Sequence, residues 1–359
     1  MRTKNENITL IKKLSDANGI SGFEDEVVEL CKAEIKEVAD FDEDSLRNLY
    51  FSSKVNTGNR PKVWLDAHTD EVGFIVQHLK SNGTIQFLPV GGWLPPTVLA
   101  SKVRIKRADG SYISGVVGAK PPHFASEAER NAGITIEQMS MDVGAKSLDE
   151  LKNKFKIPVA APIIPDVACS YDEQHDLFLG KAFDCRIGVA ALIETLNQTA
   201  SGERAVDIVG TFSAQEEVGL RGARAVANRV APDFAICLEG APADDTFAEA
   251  HMVQTRMGKG PMLRIIDSGM ITNPRALKLA REVAAKEGIA IQEAVRTGGG
   301  TNGGAIHMSG NGVPVIVISC PVRYAHSHHS MASYSDYKAC VALVVAIVKG
   351  LNEEIIKGF

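Results

Sequence analysis

Lys62-Val63-Trp64-Leu65-Asp66-Ala67-His68-Thr69-Asp70-Glu71-Val72-Gly73 is where two textures of this sequence meet. Its first six residues form a short, mostly apolar run, which reads as a strand, with His68 just past its end. Before it, helices are expected over about 7–17 and 24–38, separated by Gly19-Ile20-Ser21-Gly22-Phe23-Glu24, a turn followed by a helix start. After it, from about Glu71 to Ile164, short strands alternate with turns, and Asn82-Gly83 and Asp109-Gly110 have the chemistry of tight hairpins.

Downstream of Ile164, helical and strand patterns alternate. Helices are expected over about 186–197, 220–228, 274–287 and 335–357, and strands over about 205–212, 233–238 and 313–319. Such alternation implies an α/β fold with a mainly parallel sheet flanked by helices on both faces. The expected division is a catalytic part made of residues 1–70 and 165–359, carrying an inserted β-rich domain at 71–164.

The 359 residues are 45% hydrophobic and 23% charged, enough for sizeable cores. A formal net charge of −5 leaves no basic footprint, so nucleic acid is an unlikely partner class on composition. Six dispersed cysteines without a C-x-x-C pair fit a reducing, cytoplasmic setting. The polar start Met1-Arg2-Thr3-Lys4 lacks the apolar core of a signal peptide, and no run approaches the ~18 apolar residues that a membrane span needs.

Chemistry-bearing residues fall at the ends of the expected strands. His68 follows the first, Glu216-Glu217 follow the strand ending at Phe212, Glu239 follows that ending at Leu238, and His326 lies several residues beyond Ser319. Ligands of open α/β sheets bind outside the carboxyl ends of the strands. Asp184, ahead of a helix, can face the same rim. Each has a bland reading: His68-x-Asp70 as a capping pair, Glu216-Glu217 as a solvated helix start, Asp184 as an N-cap, Glu239 as a turn residue. Their joint placement outweighs these.

Two imidazoles and several carboxylates suit two divalent hydrolytic metal ions per subunit, zinc first, with cobalt or manganese also compatible. Asp184 is the expected bridge, His68 and Glu239 the ligands of one ion, and Glu217 and His326 those of the other. Glu216 is left as the base that takes a proton from water and hands it to the leaving amine. Asp70 is placed to accept the other imidazole N–H of His68. His328 and His329 read as a polar surface loop, and His123 as a structural or interface residue. The run Thr297-Gly298-Gly299-Gly300-Thr301-Asn302-Gly303-Gly304 lacks the Gly-Lys-Ser/Thr ending of a phosphate loop and reads as a loop lining a substrate cleft.

These residues resemble a known family, the cytosolic metallo-aminopeptidases that include glutamyl and deblocking aminopeptidases. Some of its members form tetrahedral dodecamers and some have been labelled endoglucanases. The likeness covers nearly the whole chain. It runs through Ala67-His68-Thr69-Asp70-Glu71-Val72-Gly73, Gly91-Gly92-Trp93, Gly118-Ala119-Lys120-Pro121-Pro122-His123, Lys181-Ala182-Phe183-Asp184, Gln215-Glu216-Glu217-Val218-Gly219-Leu220-Arg221-Gly222-Ala223, Gly258-Lys259-Gly260-Pro261 and Arg323-Tyr324-Ala325-His326-Ser327. The resemblance implies a zinc-peptidase-like mixed sheet flanked by helices with an inserted β-barrel-like dimerisation domain, and self-association from dimer up to dodecamer.

Three departures stand out. Asp184-Cys185-Arg186 replaces the family's Asp-Asp-Arg, Glu239 stands where Asp is usual, and Asn302 replaces the Asp of Gly-Gly-Thr-Asp-Ala. Loss of that last carboxylate is expected to alter recognition of the substrate's charged end. The expected activity is a two-metal aminopeptidase acting on short peptides. The alternatives are a dipeptidase, carboxypeptidase or deacylase on the same site, a metal-independent glycosidase, and an inactive oligomeric scaffold. The glycosidase leaves His68 and His326 without a role.

Overall fold

The computed structural model describes residues 2–202 and 204–359. The chain opens with α1 (Lys4–Asp16) and α2 (Asp25–Ile35), then β1 (Ala39–Glu43), β2 (Leu49–Ser53) and β3 (Lys62–His68). A closed six-stranded antiparallel barrel follows, in the order β4-β5-β8-β7-β6-β9: β4 (Gly73–Leu79), β5 (Ile85–Val90), β6 (Lys102–Lys106), β7 (Tyr112–Gly118), β8 (Ser140–Asp142) and β9 (Pro162–Pro165). The short α3 (Glu127–Asn131) lies between β7 and β8. Both expected hairpins form: Gly83 donates to Lys80 O at 3.1 Å and Gly110 to Arg107 O at 3.0 Å, each with positive φ. The barrel has its own core, which includes Phe74, Phe87, Val103, Ile105, Met141 and Ile163.

The rest returns to the first sheet. In order come β10 (Ser170–Asp172), β11 (Leu177–Gly180), α4 (Phe183–Thr199), β12 (Asp207–Ser213), α5 (Arg221–Val230), β13 (Phe234–Pro242) and β14 (Met262–Ile266). Then follow α6 (Pro274–Glu287), β15 (Gln292–Val295), α7 (Asn302–His307), β16 (Val315–Arg323), β17 (Ser330–Ser333), α8 (Tyr334–Gly350) and α9 (Glu353–Lys357). The expected single helix over 335–357 is two, because the Asn352 side chain accepts the Ile355 N–H at 2.9 Å and starts a new helix.

The sheet is parallel at its centre, where β12, β3, β13 and β16 pair, and antiparallel toward both margins. It is therefore mixed, as the resemblance implied, and less parallel than the alternation alone suggested. The hairpin β1–β2 enters antiparallel to β12, and β16 turns back on β17.

Strand alternation decides which helices cover which face. Val63, Leu65 and Ala67 of β3, Phe234, Ile236 and Leu238 of β13, and Ile316 and Ile318 of β16 pack in the large core with α1, α2, α4, α6 and α8. Their neighbours Trp64, Ala235, Cys237, Val315 and Val317 pack with α5 and α7 on the other side. Side chains on successive residues point to opposite faces, so a strand covered on both faces must be apolar throughout. By the same alternation Asp66, His68 and Glu239 project on the α5/α7 side.

Candidate metal centre and cleft

Register brings the first two site residues together. Asp66 pairs with Cys237 across β3 and β13, and two residues further along each strand stand His68 and Glu239. His68 Nε2 is 3.6 Å from Glu239 Oε2. Glu239 lies inside β13 rather than past its end, because the strand continues to Pro242 in register with β16. His68 is the last residue of β3.

Asp184 sits at the start of α4, where Asp184 and Cys185 leave helical geometry and are joined by a cis peptide bond. The turn is pressed against β13 at Gly240. A Cβ there would lie 2.4 Å from Phe183 O and 2.9 Å from Asp184 Cα. The Asp184 carboxylate reaches both imidazoles, Oδ1 to His68 Nε2 at 3.2 Å and Oδ2 to His326 Nε2 at 3.4 Å.

Glu216 and Glu217 lie on the loop between β12 and α5. Glu217 Oε1 is 3.1 Å from His326 Nε2, and Glu216 Oε2 is 4.0 Å from His68 Nε2. The loop is entered through Gln215 at φ 54° and left through Leu220 at φ 58°, left-handed conformations that non-glycine residues rarely adopt. His326, on the β16–β17 loop, also has positive φ (57°), and its Nδ1 faces Gly92 O at 3.1 Å. The segment after β5 therefore orients an imidazole of the sheet's rim.

Asp70 is buried behind this cluster. Its backbone carbonyl is 3.2 Å from His68 Nδ1 and its Oδ1 3.3 Å. The same carboxylate accepts the Glu216 and Glu217 N–H groups at 2.9 and 3.1 Å and the Ser21 hydroxyl at 2.6 Å. Beneath it, Lys181 Nζ binds both oxygens of Glu71 (2.6 and 2.8 Å) and Ala17 O. Arg186 donates to the Thr69, Leu14, Ala17 and Gly19 carbonyls.

All seven residues singled out in the sequence thus converge. Those kept apart in that reading stay apart: His123 is exposed in a single-turn segment, while His328 Nε2 donates to Lys102 O, outside the cluster. Ser21, Gly92 and the Lys181–Glu71–Arg186 group support the cluster without having been singled out in the sequence, although all five lie in the motifs named above. Asn302 is a correction. It does not face the cleft but is buried on α7, with Nδ2 donating to Asp66 Oδ2 (2.8 Å) and Ser213 Oγ (2.7 Å). The helix that starts at Asn302 turns this side chain inward, so its effect on substrate recognition is not direct.

The electrostatics call for positive charge. Burial, reinforced by the neighbouring acids, pushes Glu216 well above the usual carboxylate range, raises Glu217, and lifts Glu239 to about 8. Burial would lower His326, yet hydrogen bonds to Asp184 and Glu217 lift it to about 11. Burial would also raise Asp184, but the two histidines hold it low. Imidazolium protons are the positive charge available from the chain itself. Three overlapping donor groups lie close enough to share a cation, with ligand atoms within 4.8 Å of one another. They are His68 with Asp184, Cys185 and Glu239; His68 with Glu216 and Glu217; and Asp184 with Glu217 and His326. A carboxylate reaching two imidazoles, with acids beside each, is a donor set that fits divalent cations.

The cluster floors a cavity of about 480 Å³, whose walls include Leu220, Pro242, Arg264, Arg296 and Gly298–Thr301. The glycine-rich run lines this cleft through residues 298–301, as read from the sequence.

A model of the M42 glutamyl aminopeptidase family matches residues 48–343. The chain belongs to this family. M42 membership makes it a peptide hydrolase of the aminopeptidase class in a metal-dependent family. A lysyl aminopeptidase of Pyrococcus furiosus is 34% identical to it, over 96% of this chain and 97% of its own length. The structure of a TET aminopeptidase from a marine sediment archaeon of the Thaumarchaeota superposes with a TM-score of 0.94 at 36% identity, covering 98% of this chain and 99% of that one. A TET1 peptidase of Pyrococcus horikoshii, which can assemble into a tetrahedron or a large octahedral shell, superposes at 0.85 with 27% identity over 97% and 100% of the chains. The M42 assignment and the fold agree with the resemblance drawn from the motifs.

Proposed function

We propose that this M42 member removes N-terminal residues from short peptides at a site holding two divalent cations, zinc before cobalt or manganese. The carrying observation is Asp184, whose two oxygens point to two different imidazoles 3.2 and 3.4 Å away. His68 and Glu239 would hold one cation, Glu217 and His326 the other, and Asp184 both. Bound there, the cations supply Lewis acidity, polarising the scissile carbonyl and making water more acidic.

The chain's own groups do the rest. Glu216, whose N–H is anchored on Asp70, stands beside the ligands and takes the proton of the attacking water at its carboxylate. It returns that proton to the departing amine. Asp70 faces Nδ1 of His68, holds the ring's orientation and leaves Nε2 toward the cleft. Burial of the cluster keeps water from screening these charges.

The sheet and its helices (residues 1–70 and 165–359) are read as the catalytic part, and the barrel segment (71–164) as the dimerisation part. Exposed apolar side chains on that segment, among them Leu88, Leu94, Val116 and Phe124, support self-association, and so does the shell-forming relative. A reducing cytoplasm fits six cysteines that are all free and buried. Among the described residues no helix is long and apolar enough to cross a membrane.

Zinc titration of chelator-stripped protein tests the site. Two equivalents bound, with hydrolysis lost on stripping and restored on titration, are expected. Unchanged hydrolysis by the stripped protein overturns the proposal.

A further inference from the structure

The two imidazoles of the cluster do not have equivalent surroundings. Around His68 there are four ligand atoms within 4.8 Å of one another, from its own ring, the Asp184 and Glu239 carboxylates and the Cys185 thiol. Around His326 there are three, its own with those of Asp184 and Glu217. Glu217 and His326 line the cleft, whereas His68 and Cys185 do not and are buried behind it. The sulfur is fixed between α4 and β13. Its Sγ donates to Leu238 O at 3.1 Å, and Gly188, three residues along α4, keeps the space it fills. A Cβ at Gly188 would lie 2.4 Å from Sγ and 2.5 Å from Leu238 O.

Glu239 gives a second, independent sign. It is 5% exposed, yet among the described residues no N–H or hydroxyl group makes a hydrogen bond to its carboxylate. Its neighbours are His68 Nε2 at 3.6 Å and the Cys185 thiol. A buried carboxylate is ordinarily paired with a cation or with several N–H donors. Here one imidazole is the only base close by, and the remaining neighbours, a thiol and the Asp184 carboxylate, are themselves cation ligands. Imidazole, carboxylate and thiolate together form a donor set for a borderline-soft divalent ion.

We infer that Cys185 is a cation ligand beside His68, Asp184 and Glu239, so that the two cations of this centre occupy chemically unlike sites. This rests on the reading of the cluster as a two-cation centre. As the sulfur–cation bond forms, the S–H bond breaks and its proton leaves to solvent, with no change of oxidation state. Four protein donors are typical of zinc sites that hold structure, whereas three leave a place for water or substrate. The deep His68–Cys185 site is thus filled by the chain and anchors the bridging Asp184. The site of Glu217 and His326, on the cleft, keeps a coordination place that the chain does not fill. Thiolate donors favour zinc and cadmium, and carboxylate donors suit manganese. The deep site therefore discriminates against manganese more strongly than the cleft site.

The test is spectroscopic. Cobalt(II) is titrated into the chelator-stripped full chain while its absorption is recorded. One bound equivalent should bring an intense sulfur-to-cobalt charge-transfer band in the near ultraviolet, and the other only weak visible bands. Cys185→Ser should lose the charge-transfer band, whereas Cys237→Ser, at the thiol two residues before Glu239 on β13, should keep it. X-ray absorption of the zinc-loaded wild type should show sulfur at about 2.3 Å beside nitrogen and oxygen at about 2.0–2.1 Å, a reading that needs no variant to fold. Isothermal titration of Cys185→Ser should find one of two zinc ions weakened by roughly 10–100-fold or more, since a direct ligand is worth at least as much as a supporting residue. Two bound equivalents without a sulfur signal, or a charge-transfer band that survives Cys185→Ser, overturn the thiolate ligand and leave the two-cation centre standing. No cobalt or zinc bound by the wild type overturns both.

Discussion

Asp70 and Glu216 are joined through the backbone: the Oδ1 atom of Asp70 accepts the Glu216 N–H at 2.9 Å. Because that carboxylate also faces His68 Nδ1, it couples the orientation of the imidazole proposed as a ligand to the position of the proposed base. Burial works against the charge of Asp70, but His68 and the hydrogen bonds around it hold the carboxyl below its usual range. Asp70→Asn removes the charge and turns a donor toward one of the N–H groups it now accepts. Zinc affinity and kcat/KM should each fall by about 10–100-fold, with the fold retained. Isothermal titration and steady-state kinetics on the same preparation check this.

In the proposed site Glu216 stands beside the ligands and is assigned to the proton rather than to a cation. Glu216→Gln should retain full zinc stoichiometry while kcat falls by about 10²–10⁴-fold, the usual worth of a positioned general base. Metal analysis beside kinetics separates this outcome from loss of the site. Undiminished turnover at full occupancy would remove Glu216 from the mechanism.

Gly240 lets β13 pass directly beneath the Asp184 turn. The contacts that a methyl group would meet there are backbone atoms, which cannot swing aside as a side-chain tip can. Gly240→Ala should cost about 1–3 kcal/mol of stability by overpacking and shift Asp184 enough to lower activity. Denaturant unfolding and zinc binding read the two effects independently.

The Lys181–Glu71 pair lies under the rim at 1–2% exposure, and burial brings Lys181 down to about 8 despite its partner. Lys181→Met would leave the Glu71 carboxylate buried with Arg186 at 3.3 Å as its remaining cation. A loss of about 3 kcal/mol is expected, at the lower end for a broken buried pair. Unfolding midpoints at matched zinc occupancy measure it.

Asn302 is buried against Asp66, which also accepts the hydroxyls of Thr211 and Ser213. Asn302→Asp sets a second carboxylate against the first. It should destabilise this chain by about 1–3 kcal/mol, the cost of an unmade buried hydrogen bond, without changing substrate preference. Thermal unfolding and kcat/KM ratios across peptides with different N-terminal residues give both readings.

The rim was legible in the sequence because strand ends are marked by the switch from apolar runs to polar residues, and His68, Glu216, Glu217, Glu239 and His326 all follow such runs. Asp184 was legible from its place ahead of a helix. What was not legible depends on distances across the chain. Glu239 shares a face with His68 only through the β3–β13 register, and periodicity within one strand says nothing about its partner. Arg264 and Arg296 were silent for the same reason, since each alone resembles any other arginine in a sheet-rich segment. Asn302 misled because a glycine-rich run suggests an open loop, whereas a helix begins there and turns the side chain inward. The break before α9 rests on one capping asparagine in a helical pattern.

The proposed function is removal of residues from free N-termini. It is tested most directly by mass spectrometry of matched peptides, with free or acetylated N-termini and free or amidated C-termini, digested by the zinc-loaded protein. Stepwise loss from free N-termini, whatever the C-terminal group, is the predicted result. Loss from the C-terminus, or removal of the acetyl group alone, would contradict it and point to carboxypeptidase or deacylase chemistry on the same cluster.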